Sequence, residues 1–90
     1  MRAVAPTLAT AVFGGAGASN VSIDLGIRGP SIGNANSCAS GAMAIGQAFQ
    51  AIRAGTVDAA LAGGAEAPLA PLTFGAFAMI RVLSSRNDDP

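Results

Sequence analysis

The chain has 90 residues, of which 51% are hydrophobic and only 11% are charged, and its formal net charge is zero. It contains five arginines but no lysine or histidine, so no basic face is expected to hold a nucleic-acid backbone. A single cysteine excludes an internal disulfide. Because charged residues make up about 25% of a typical domain, we expect much of this chain to lie inside a larger protein or against a partner.

Two long uncharged stretches, 3–23 and 29–52, raise the question of a membrane span. They are rich in Gly, Ala, Ser, Thr and Asn, whereas a spanning helix needs about 20 predominantly apolar residues. Pro6 also interrupts any apolar run of an export signal. The sequence therefore predicts no membrane partner, and a lone thiol fits a reducing, cytoplasmic setting.

The first predicted elements are an extended stretch over residues 1–9 and a helix over 11–24. Thr10 is the predicted N-cap of this helix, and Gly26 is its predicted C-terminal stop. Three glycines inside the helix favour close packing against a neighbour. They do not form a phosphate loop, because no Gly-Lys-Ser/Thr follows, and no cofactor is predicted.

The centre of the chain is a predicted strand over 31–36 that leads into Cys38, with a helix over 39–54 directly behind it. A helix N-terminus favours an anion, so the thiolate of Cys38 could act as a nucleophile. The alternative is that Cys38 is a small buried hydrophobe, as most free cysteines are. Ser40 is the only polar side chain in the first half of the helix, so we expect that end to be buried.

A second apolar run, 57–62, predicts a strand buried on both faces. With the preceding strand and helix it would form a right-handed βαβ unit. Glu66 follows this strand and could act as a general acid or base; a carboxylate bonded to loop amides or to an arginine is the favoured alternative. A short helix is predicted within 73–80, whose apolar side chains could line a ligand pocket or belong to a core.

Four segments in a fixed order carry a resemblance to a known family. They are Gly26-Ile27-Arg28-Gly29-Pro30-Ser31, Ser37-Cys38-Ala39-Ser40-Gly41, Ala62-Gly63-Gly64-Ala65-Glu66-Ala67-Pro68, and Arg81-Val82-Leu83-Ser84-Ser85-Arg86-Asn87-Asp88-Asp89-Pro90. These segments resemble the elongating β-ketoacyl-acyl carrier protein synthases, most closely the synthase II branch. One departure is Asn36-Ser37, where the family usually has Thr-Ala.

The resemblance implies a thiolase-type α/β fold, layered α-β-α-β-α and built of two similar halves. Residues 1–90 would be part of the N-terminal ketosynthase half and would contain the βαβ unit and a buried nucleophile helix, with the C-terminal half absent. The implied enzyme is a cytoplasmic acyltransferase of fatty-acid biosynthesis. It takes an acyl chain from acyl carrier protein and condenses it with a malonyl thioester.

The resemblance also implies site residues. Cys38 occupies the place of the nucleophile that carries the acyl thioester, and its main-chain N–H belongs to the oxyanion hole. The positions that match the acyl pocket are Phe77 and Leu8, with Ala9 reaching the pocket of the partner subunit. A homodimer would form through the strand 31–36 and the helix 11–24.

The chain lacks the two histidines and the lysine that the family uses for condensation. By itself it could at most supply the nucleophile of acyl transfer. Two alternatives therefore stay open: a non-catalytic truncated piece, or a relative among the polyketide ketosynthases or thiolases. The segment 86–90 favours the fatty-acid branch.

Overall fold

The computed structural model describes residues 4–89. Within this range the chain forms four α-helices and one 3₁₀ turn, which are α1 (Leu8–Val12), α2 (Ala16–Asp24), the turn Ser37–Ala39, α3 (Ser40–Arg53) and α4 (Pro71–Met79). None of these helices combines the length and the hydropathy needed to cross a membrane.

The strands of the predicted βαβ unit are not confirmed. Residues 31–36 and 57–62 contain no strand, and among the described residues no backbone hydrogen bond joins the two stretches. An extended segment becomes a strand only when its N–H and C=O groups pair with a neighbour. The helix of the unit is confirmed, since α3 (Ser40–Arg53) matches the predicted range 39–54.

The single helix predicted over 11–24 is wrong, because two helices take its place. Phe13 is extended, with φ −77° and ψ 148°, and ends α1. Two glycines follow, and α2 begins at Ala16. Glycine is a poor helix former, so the pair breaks the helix that the flanking alanines would otherwise continue.

The beginning of this region also differs from the prediction. Thr10 is no N-cap, because it lies inside α1 and its Oγ1 donates to the Thr7 carbonyl over 2.8 Å. Leu8 and Ala9, predicted as extended, are the first two residues of α1. Residues 1–3 of the predicted extended stretch lie outside the described residues.

Helices α2, α3 and α4 end in the same motif, in which a left-handed residue lets the next N–H reach a carbonyl five residues back. These bonds join Ile27 to Ser22 (2.8 Å), Thr56 to Ala51 (2.9 Å) and Val82 to Phe77 (3.4 Å). The left-handed residues are Gly26 (φ 65°), Gly55 (φ 70°) and Arg81 (φ 59°). The predicted stop at Gly26 is confirmed, whereas Arg81 holds a conformation that costs a side chain about 1–2 kcal/mol.

No side chain among residues 4–89 is fully buried. The accessible surface is 8043 Å², against about 4,700 Å² for a compact protein of this mass. The radius of gyration is 17.2 Å, against about 12 Å for a compact chain of this length. The described residues therefore form an open layer of helices and loops without a closed core.

The half-buried residues of helix α3 are all small. The half-buried positions along it are Ser40, Gly41, Ala44, Ala48 and Ala51. Its large apolar side chains remain exposed, among them Ile45 at 58% and Phe49 at 56%. The predicted burial of its first half is therefore not found, because nothing within residues 4–89 covers that face.

Candidate functional site

Cys38 is the middle residue of the 3₁₀ turn Ser37–Ala39, directly before α3, and its side chain is exposed. The residue before it, Ser37, has φ 52°, a left-handed conformation that is uncommon for a residue with a side chain. A tight turn thus directly follows the range of the predicted strand, 31–36. The turn presents the thiol at the N-terminal end of a 14-residue helix. Because no side chain among residues 4–89 is buried, the nucleophile and the buried hydrophobe both stay predictions for Cys38.

Both main-chain polar groups of Asn36 are bonded to residues that follow the cysteine. Its N–H donates to Ser40 Oγ over 2.8 Å, and its C=O accepts from the Ala39 N–H over 3.2 Å. The Ser40 N–H in turn donates to the Ser37 carbonyl. The chain on either side of Cys38 is therefore closed into a small hydrogen-bonded loop.

Two side-chain amides extend this loop. Asn34 Nδ2 donates to the Ser40 carbonyl over 3.1 Å, and Asn36 Nδ2 donates to Asn34 Oδ1 over 3.2 Å. We call Asn34, Asn36 and Ser40 the Asn clasp. The sequence indicated a polar face on 31–36 but not its target; the signal was the alternation of two asparagines before a serine that starts a helix.

A second segment closes on the start of α3. The loop at Gly63–Gly64 lies against Gly41, with only backbone atoms at the contact. This loop follows the predicted strand 57–62 and precedes Glu66. The motif that contains Cys38 and the motif that contains Glu66 are therefore neighbours in space, although more than twenty residues separate them in sequence.

The predicted acyl-pocket residues are not brought to the cysteine. Leu8 and Ala9 lie in α1, which packs only on α2 among the described helices, and Phe77 lies in α4, which packs on none of the others. Leu8 and Phe77 are exposed, and Ala9 lines an open groove with residues of α2. The three positions remain predictions.

The charged groups form few contacts. Within residues 4–89 one ion pair forms, between the exposed side chains of Arg86 and Asp89. Glu66 is exposed and has no arginine partner in that range. The described residues contain no group of three or more side chains that could hold a metal ion. The chemistry available at this site is that of the thiol and the main-chain amides around it.

Known proteins match nearly the whole chain. Residues 2–90 match the family described as "Beta-ketoacyl synthase, N-terminal domain". The chain is 46% identical over 68 residues to the 3-oxoacyl-(acyl-carrier-protein) synthase 2 of Synechocystis sp., an alignment that covers 76% of this chain and 16% of that protein. It is 36% identical over 87 residues to the synthase 2 of Staphylococcus aureus, covering 97% of this chain and 22% of that protein.

The chain thus spans about a fifth of the length of the curated relatives that it matches. No solved structure gives a significant match. The family model covers all but the first residue, and the resemblance to the synthase II branch is confirmed by the names of these relatives. A thiolase-type fold is implied by this match. The chain belongs to the β-ketoacyl synthase family, as part of its N-terminal domain.

Proposed function

We propose that the whole protein carrying this chain is a 3-oxoacyl-acyl carrier protein synthase of fatty-acid elongation, and that Cys38 is its acyl-accepting nucleophile. The observation that carries the proposal is the position of the only thiol in the chain. It lies exposed at the start of α3, in a strained turn, within a chain matched by the family from residue 2 to residue 90.

The proposed acylation is a thioester exchange. The Cys38 thiolate attacks the carbonyl carbon of the acyl-carrier thioester, and the main-chain N–H of Cys38 stabilises the oxyanion. The new bond joins Cys38 Sγ to the acyl carbon, and the bond to the carrier sulfur breaks. The carrier leaves as a thiolate and takes up a proton equivalent to the one that Cys38 lost.

The proposed condensation uses a malonyl thioester as the second substrate. Loss of CO₂ leaves a carbanion that attacks the acyl carbon on Cys38, and the thiolate of Cys38 leaves. The product is a β-ketoacyl thioester longer by two carbons. This chain has no histidine or lysine to support the decarboxylation, so that support must come from residues outside these 90.

The finer structural predictions belong to the same proposal. Residues 31–36 and 57–62 would become strands when neighbouring strands supply their hydrogen-bond partners. The segment 31–36 and the former helix range 11–24 would face the second subunit of a cytoplasmic homodimer. Large exposed side chains on α3, including Ile45 and Phe49, would then be covered by the remaining layers of the fold.

The test is the intact mass of the whole protein after incubation with an acyl-carrier thioester. The parent should gain one acyl group, and Cys38→Ala should gain none. Ser85→Ala, which removes a hydroxyl from the exposed C-terminal segment, should gain the group like the parent. Acyl uptake by Cys38→Ala would refute the assignment of the nucleophile.

A non-catalytic truncated piece is the second candidate, favoured by the large exposed apolar surface and by the absence of histidine and lysine. The mass of the natively produced protein separates the two. A mass several times the 8.7 kDa of this chain supports the synthase. A mass of 8.7 kDa without an acyl adduct supports the truncated piece.

A further inference from the structure

We draw no further inference here: the strongest candidate, the exposed apolar surface of helix α4 around Leu72, Phe74 and Met79, packs on no other described helix, and nothing within residues 4–89 shows what covers it.

Discussion

Gly64 faces Gly41 so closely that a Cβ built on Gly64 would lie 3.2 Å from the Gly41 Cα. This contact joins the loop after 57–62 to the first turn of α3. Both partners at the contact are backbone, which cannot rotate away as a side chain can. The distance between the cysteine turn and the Glu66 segment therefore depends on the absence of a side chain at residue 64.

We expect Gly64→Ala to lower the free energy of unfolding of the whole protein by about 1–3 kcal/mol, as overpacking typically does. Urea denaturation measures the change. Gly63→Ala is the control, because a Cβ at that residue meets no atom within 4 Å. Equal effects of the two substitutions would show that the contact between Gly64 and Gly41 is not what limits the packing.

Arg81 ends α4 in a left-handed conformation that glycine adopts at the ends of α2 and α3. We expect Arg81→Gly to raise the free energy of unfolding by up to about 1 kcal/mol, since the steric cost disappears. Arg28→Gly serves as the control, because Arg28 is an exposed loop arginine without a positive φ. That control should be neutral or slightly destabilising, and a stabilisation of the same size in both variants would contradict the argument.

Phe77 tests the proposed acyl pocket. If the acyl chain packs against this ring, Phe77→Ala should lower the acylation rate with a long acyl donor about tenfold and with an acetyl donor much less, because only the long chain loses buried apolar area. Phe74→Ala, one turn earlier in α4 and 58% exposed, is the matched control. If both variants lose the same rate with each of the two donors, Phe77 does not line the acyl pocket.

The isolated 90-residue chain should not unfold cooperatively. Its described residues contain no buried side chain, and apolar burial is the main term that offsets the loss of chain entropy. We expect a broad thermal transition by circular dichroism and strong binding of a hydrophobic dye. A sharp two-state transition for the monomeric chain would contradict this expectation.

Local signals in the sequence predicted the helices with clear stops. The range of α3 follows from its apolar pattern and from Gly55, and the end of α2 follows from Gly26. The break at Phe13 is not predicted, because the helix over 11–24 was inferred from an N-cap at Thr10 and a stop at Gly26 and the glycines between them were expected to stay helical. The helix predicted within 73–80 corresponds to α4, which ends at Met79. The left-handed conformation of Arg81 is not predictable in the same way, because it occurs at a residue type that rarely adopts it.

The strands were predicted from apolar runs but depend on partners that a local pattern does not contain. Residues 31–36 and 57–62 have suitable side chains, yet no neighbouring strand within 4–89 accepts their hydrogen bonds. The candidate site also has a part that local sequence predicts and a part that depends on distant segments. The position of Cys38 before α3 follows from local sequence, whereas a pocket that includes Leu8 and Phe77 requires layers that would bring α1 and α4 together.

Because the large side chains of α3 are exposed in this chain, substitutions there should affect assembly and not local helix content. A substitution at Ile45 or Phe49 opens no core within residues 4–89, because both side chains are exposed there. At Phe49 it also removes the contact with the Arg53 guanidinium, which lies 6.0 Å from the ring centroid. The main cost of either substitution arises when another surface closes over the helix. Variants at these positions should therefore assemble poorly while their local helix content stays normal, and screens that read only helicity would score them as silent.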